Sequence, residues 1–258
     1  MNGLSRRTLF GTAARLGMAA GGLGALGAAE QKSLGPDTAQ RKLKAVFAGG
    51  HPGDPEYGCG GTIARYSDMG HDVVLLYLNR GDWGFLEKPL ESPRADRVLE
   101  AQNACRILKA RPLFAGQLNG KAVVDHEHAD EMQKLLDAEH PDVLFTQWPI
   151  DNHADHRATF ALVYEAWLRM RKKAALFFYE VSNGEDTLMF APTHYVDITA
   201  TQARKREACY AHASQSPDRY YEMQSQAMVF RGLESGYKYA EGYIRHVHSS
   251  AGVLPIGS

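Results

Sequence analysis

The sequence predicts an α/β fold built on a mainly parallel sheet. Two observations carry that expectation. Short apolar runs alternate along the chain with longer stretches of helical, amphipathic spacing, which is the pattern of βαβ units. A polar, glycine-rich cluster also follows directly on the first apolar run, where open α/β sheets place their binding loops. The runs at 43–48 (LKAVFA), 72–78 (DVVLLYL), 112–115, 143–146, 174–179 and 195–198 read as strands. The stretches at 62–69, 93–109, 130–138, 158–170 and 201–213 read as helices, the first ended by Gly70. Arg97 and Glu100 fall on the polar side of the second helix. The remaining tail is rich in Tyr and Gly and receives no regular element. At 44% hydrophobic and 23% charged residues, the 258-residue chain has an ordinary globular composition, and residues 43–258 suffice for one domain with one sizeable core.

Residues 1–29, MNGLSRRTLFGTAARLGMAAGGLGALGAA, stand apart from that domain. Two adjacent arginines, Arg6 and Arg7, precede a mildly apolar run that ends in small residues. This is the layout of an export signal of the twin-arginine type, and it predicts a periplasmic or otherwise extracytoplasmic protein. Arg15 and the glycines interrupt the run too often for a membrane span, so no stable span is expected after signal removal. Residues 30–42 read as a polar linker. Removing 1–29 takes away three arginines and no acids, leaving 26 basic and 30 acidic residues and a net charge of 26 − 30 = −4. No excess of positive charge points to nucleic acid. Cys59, Cys105 and Cys209 are too widely spaced for a disulfide framework or a CxxC zinc site.

The chemistry-bearing residues fall in two clusters. The first is GGHPGDPEYGCGGT, residues 49–62, after the first strand; the second is QWPIDNHADH, residues 147–156, after the strand at 143–146. Right-handed crossovers open both strand ends on the same edge of the sheet, so the clusters can meet. A catalytic metal site needs three protein ligands and one open position. His51 and Asp54 could supply two. His153 and His156, in His-x-x-His spacing, could supply a third ligand and an acid, with Asp155 orienting an imidazole. Such a metal polarises a carbonyl and acidifies its water, which is equipment for amide hydrolysis. Gly58, Gly60 and Gly61 could instead form a dinucleotide loop, but the spacing is not Gly-x-Gly-x-x-Gly and the preceding acids would repel a pyrophosphate. Tyr57, Trp83, Phe85 and Trp148 lie near the expected crevice, where a sugar ring could stack on them.

These motifs resemble the zinc-dependent N-acetylglucosaminyl deacetylases of the PIG-L or LmbE-like family. The family's His-Pro-Asp-Asp-x-Glu, followed by Gly-Gly-Thr, corresponds to His51-Pro52-Gly53-Asp54-Pro55-Glu56 and Gly60-Gly61-Thr62. Its His-x-Asp-His corresponds to His153-Ala154-Asp155-His156, its Arg-x-x-Glu to Arg97 and Glu100, and its His-x-Ser-Gln-like element to His212-Ala213-Ser214-Gln215. The likeness spans most of residues 43 to 245. It implies a Rossmann-like three-layer α/β/α sandwich and one Zn2+ per chain held by His51, Asp54 and His156. It further implies that His153 sits beside the substrate carbonyl with its tautomer fixed by Asp155, and that Asp82 and Arg97 contact a small amino-sugar substrate. It leaves a homo-oligomer open.

At one position the chain departs from that family. The first aspartate of the pair, the general base, is here Gly53. General-base assistance is worth about 10²–10⁴-fold, so three expectations stand side by side. Glu56 or Asp151 takes over as base; or the enzyme is slow; or the protein is an exported zinc-containing sugar binder with weak or no catalysis. Glu56 could equally serve a helix N-terminus, and Asp151 could cap a turn. On sequence alone, Gly53→Asp is expected to raise turnover.

Overall fold

The computed structural model describes residues 41–81, 97–182, 184–249 and 254–255. The expected export signal at 1–29, the linker up to residue 40, and Asp82, Trp83 and Phe85 lie outside the described residues. In chain order the elements are β1 (Lys44–Gly49), α1 (Asp54–Asp68), β2 (Asp72–Asn79), α2 (Arg97–Leu108), β3 (Arg111–Gln117), α3 (His126–Glu139), β4 (Val143–Gln147) and α4 (Ala154–Arg169). Then follow β5 (Ala175–Tyr179), β6 (His194–Asp197), α5 (Gln202–Tyr210), α6 (Pro217–Ser235) and β7 (Ala240–Arg245). Among the described residues no helix is long and apolar enough to cross a membrane.

The strands form one seven-stranded sheet in the order β3-β2-β1-β4-β5-β7-β6. The first five strands are mutually parallel, while β7 runs antiparallel to both β5 and β6. After β1 the chain winds outward through β2 and β3, then returns to lay β4 against the other side of β1. The strand order therefore reverses between β1 and β4, and the carboxyl ends of those two strands flank the crevice that such a reversal opens.

Successive residues of each strand point to opposite faces. Phe47, Leu75, Phe145 and Phe177 face one layer, packed with α1, α2, α5 and α6 residues such as Ile63, Leu108, Ala208 and Met228. Val46, Val74, Leu144 and Leu176 face the other, against Met132 and Leu136 of α3 and Leu162 and Trp167 of α4. The fold is thus the three-layer α/β/α sandwich. Phe47 and Phe145 stack with ring centroids 4.2 Å apart, so the crevice strands are also joined through their side chains.

Two elements differ from the sequence expectation for physical reasons. The helix expected at 62 begins at Asp54, with Pro55 in its first turn, where a missing N–H costs nothing. The glycines that read as loop are helical and lie against the sheet. A β-carbon on Gly58 would stand 2.4 Å from the Tyr179 ring, and one on Gly61 2.5 Å from Ile198. The tail without an expected element holds α6 and β7. Strand β7 hides because Glu241, a charge, sits at a fully buried position in it. That carboxylate accepts from Lys205 Nζ (2.6 Å), from the backbone N–H groups of Gly61 (2.9 Å) and Thr62 (2.8 Å), and from the Tyr243 hydroxyl (3.1 Å). It clamps α1, α5 and β7 together. Removing the cation alone leaves an uncompensated buried carboxylate, so Lys205→Met should lower the unfolding free energy by about 3–5 kcal/mol, read from urea denaturation.

Candidate active site

The loop after β1 and the loop after β4 meet through Gln147, the last residue of β4. Its Oε1 accepts from the Gly50 N–H (3.0 Å), and its Nε2 donates to Asp54 Oδ2 (3.2 Å). The same Asp54 oxygen accepts from the His51 backbone N–H (2.9 Å). Asp54 opens α1, where the helix dipole favours a negative charge. His153 is the N-cap of α4 and accepts from the Asp155 N–H through Nδ1 (3.2 Å).

Two carboxylates behind the histidines fix their orientation. Asp155 Oδ2 meets His51 Nε2 (3.1 Å), and is itself held by Asn79 Nδ2 (3.0 Å) and the Gly120 N–H (2.7 Å). Asp151 Oδ1 meets His156 Nδ1 (3.1 Å) and accepts from the His153 N–H (2.8 Å), while its other oxygen takes the Thr187 hydroxyl (3.0 Å). With those ring nitrogens donating outward, the opposite nitrogens face one oxygen. His51 Nδ1 lies 3.3 Å and His156 Nε2 3.2 Å from Asp54 Oδ2. Ligand atoms roughly 2.0–2.1 Å from a tetrahedral zinc stand roughly 3.3–3.4 Å from one another, so this spacing fits a shared ion. The His153 ring lies 4.6 Å from the His51 ring and 4.6 Å from the His156 ring, and the nitrogens of the three fall within 4.8 Å of one another. The residues therefore offer two overlapping donor sets, His51–Asp54–His156 and His51–His153–His156. Nitrogen donors, with or without a carboxylate, suit zinc.

The electrostatics separate the three histidines. Burial opposes protonation of His156, but Asp54 and Asp151 outweigh it and push its pKa up to about 10. His51 is raised in the same way against its burial by Asp54 and Asp155. Asp54, despite burial, is held well below the usual carboxylate range by His156 and His51. His153 moves the other way, lowered by burial and by the two neighbouring imidazoles. It is the neutral member, and with Nδ1 accepting from Asp155 its proton sits on Nε2.

Beside these groups lies a cavity of about 220 Å³, lined by His51, Gly53, Asp54, His153 and His156 from the two loops and by Tyr57, Arg97, Asn119, Asp186, His212 and Gln215, among others. Arg97, at the start of α2, donates to the Pro52 carbonyl. Glu100 accepts from the backbone N–H and hydroxyl of Ser214, both at 2.8 Å, and so holds the segment carrying His212. Trp148 does not line the cavity; it packs edge-on against Phe178 and Phe190.

Three sequence expectations are corrected here. Glu56 is not placed to act as base: it is fully buried, accepts from the Tyr77 hydroxyl (2.6 Å) and the Gly53 N–H (3.1 Å), and meets His212 Nε2 (3.1 Å). Asp151 is not placed for it either, since its oxygens are taken behind His156 and neither residue lines the cavity. The Asp155 carboxylate orients His51 rather than His153, which it touches only through its backbone N–H. Gly53 has φ +113°, a conformation that L side chains rarely adopt. A β-carbon there would have room, 3.6 Å from the Tyr57 ring, but the backbone strain makes Gly53→Asp no simple restoration of a base. Asp186 also lines the cavity; its only sequence signal is a place in the polar loop after β5, at the binding edge of the sheet.

Fold and site together define an LmbE-like α/β/α protein, with a histidine–carboxylate centre at the reversal of a mainly parallel sheet. Comparison with known proteins gives the same class. Residues 46–167 match the family PIG-L, GlcNAc-PI de-N-acetylase. The chain is 27% identical over 210 residues to diacetylchitobiose deacetylase of Thermococcus kodakarensis, covering 74% of this chain and 79% of that protein. The N,N'-diacetylchitobiose deacetylase structure from Pyrococcus horikoshii superposes with a TM-score of 0.67 at 25% identity, over 79% of this chain and 84% of that one. The 4-carboxy-2-hydroxymuconate hydratase of Pseudomonas putida KT2440 shares the fold at a TM-score of 0.69 and 20% identity, over 81% and 98%. The family match over residues 46–167, the curated relative and the solved deacetylase structure all liken the chain to the PIG-L/LmbE-like deacetylases.

The carboxylates behind the histidines should matter for metal as much as for shape. Asp151→Ala and Asp155→Ala should each weaken zinc binding about 10–100-fold, measured by competition with a chromophoric chelator. Because Asp54 and Asp151 push the pKa of His156 up to about 10 in the metal-free protein, metal uptake at neutral pH should release a proton there. Calorimetry in two buffers of different ionisation enthalpy reads that release, and affinity should fall as pH is lowered.

Proposed function

We propose that this chain is a zinc-dependent N-deacetylase that removes the acetyl group from an N-acetyl amino sugar or a related N-acyl sugar conjugate. The observation that carries the reading is the convergence of His51 Nδ1 and His156 Nε2 on one Asp54 oxygen beside a polar cavity. The deacetylase relatives support it. In this reading His51, Asp54 and His156 hold the ion, one per chain, with Asp155 and Asp151 behind the two imidazoles. Bound zinc would polarise the acyl carbonyl and acidify water at neutral pH. His153, neutral with its proton on Nε2, donates a hydrogen bond to the carbonyl oxygen as that oxygen gains charge. Arg97, Asn119 and Gln215 present polar groups to the sugar from the cavity wall, Arg97 being held in place by the Pro52 carbonyl. Asp82 joins them in this proposal by its place in the sequence. The twin-arginine-type start supports export, so the substrate would be met outside the cytoplasm.

A second reading, an exported zinc-containing sugar binder with weak or no catalysis, is favoured by one observation: no side chain at position 53 can serve as base. Acetate release from N-acetylglucosamine conjugates separates the two. The zinc-loaded protein should release acetate, a chelator should abolish it, and His153→Ala should lower kcat about 10²–10³-fold while zinc content stays unchanged. Saturable sugar binding without acetate release would establish the second reading instead.

A further inference from the structure

We propose that Asp186 is the general base of this site, taking the proton of the attacking water in place of the aspartate absent at position 53. The proposal rests on the hydrolase reading above. Among the described residues that line the cavity, the carboxylates are Asp54 and Asp186. Asp54 is committed: one of its oxygens takes the His51 N–H and Gln147 and faces both imidazoles. The Asp186 carboxylate takes no hydrogen bond from a described residue and is half-buried at the cavity wall.

Its position is set by the metal-site scaffold itself. The Asn152 N–H donates to the Asp186 carbonyl (2.9 Å), the Asp186 N–H donates to the Ser182 carbonyl (2.9 Å), and the Leu188 N–H donates to the Ile150 carbonyl (3.0 Å). The next residue, Thr187, pairs with Asp151 as an isolated β-bridge and donates its hydroxyl to the Asp151 carboxylate. The segment carrying Asp186 is thus fastened to the loop that carries His153 and His156. Burial pushes the Asp186 carboxyl up to about 6, with Asp54, Asp151 and Glu185 adding to the rise and His156 opposing it. A base of that strength is matched to neutral pH.

The step balances without a co-reactant. The water oxygen bonds to the acyl carbon while one of its protons passes to the Asp186 carboxylate. Asp186 then gives that proton to the nitrogen as the C–N bond breaks, leaving a carboxylic acid and an amine and regenerating the carboxylate.

The test uses the zinc-loaded chain with Asp186→Asn and Asp186→Ala. Asp186→Asn should lower kcat about 10²–10⁴-fold with KM little changed and zinc content equal to the wild type. Added formate should restore part of the activity of Asp186→Ala, which a structural role would not produce. A third readout needs no turnover. The visible spectrum of the cobalt-substituted protein should titrate at lower pH in Asp186→Asn, because a negative charge beside the site has been removed. Wild-type kcat in both variants, an unshifted cobalt titration, or activity loss explained by loss of metal would each overturn the proposal. Should the wild type release no acetate, the deacetylase reading fails, and the cobalt titration still decides whether Asp186 acts on the site.

Discussion

The whole arrangement depends on keeping one buried carboxylate ionised. Asp54 lies at the floor of the crevice, nearly out of solvent, and a lone carboxylate there would protonate rather than stay charged. It stays charged because donors reach it from three segments: the His51 backbone, Gln147 at the end of β4, and the imidazoles of His51 and His156. None of these donors can be in place unless β1 and β4 are neighbours. The sheet's strand order is therefore a precondition of the site's electrostatics as well as its frame.

The same constraint explains the second ring of charges. Two imidazoles turned toward one oxygen each leave a nitrogen pointing back into the protein. Asp155 and Asp151 receive those nitrogens, and each is anchored by further donors, Asn79 and Gly120 for one, Thr187 and His153 for the other. Rotating either ring would break a charge-assisted hydrogen bond on both sides at once. The rings are thus held in fixed orientations by the protein alone, which is the kind of support that metal-ligating histidines use.

The chain's alternation of apolar and amphipathic runs made the sheet legible, because β1, β2, β4 and β5 are buried on both faces and read as unbroken apolar segments. The two clusters were legible because His51 with Asp54, and His153 with His156, sit close in sequence. What stayed hidden was whatever depends on contact between distant segments. Nothing local tells which histidine Asp155 will meet, and the answer, His51, lies 104 residues away. Glu241 made β7 look polar, although Lys205 neutralises it in the core. The glycines of α1 read as loop because their use, close approach to Tyr179 and Ile198, is a property of the packed state. Asp186 has no motif around it; its meaning comes from the cavity it faces.

That last residue changes how the glycine at 53 is understood. If this were a deacetylase site that had merely lost a side chain, the backbone would still be expected in a conformation that any residue can hold. Instead φ at Gly53 is +113°, where a β-carbon is strained, while the Gly53 N–H donates to Glu56, which also accepts from the Tyr77 hydroxyl and meets His212 Nε2. The loop holds a shape that disfavours any side chain at position 53 and binds Glu56 into the core. The Asp186 carboxylate lines the site's cavity, on a segment tied by Thr187 to the loop that carries His153 and His156. Gly53 and Asp186 line the same cavity of about 220 Å³. If Asp186 is the base as proposed, it takes its proton along a different line from a carboxylate at position 53, and that line would decide which face of the acyl group the water attacks. Under the proposed mechanism, the orientation of the bound acyl group relative to His153 would follow from that line, so residue 186 would bear on how substrate lies as well as on how fast it reacts.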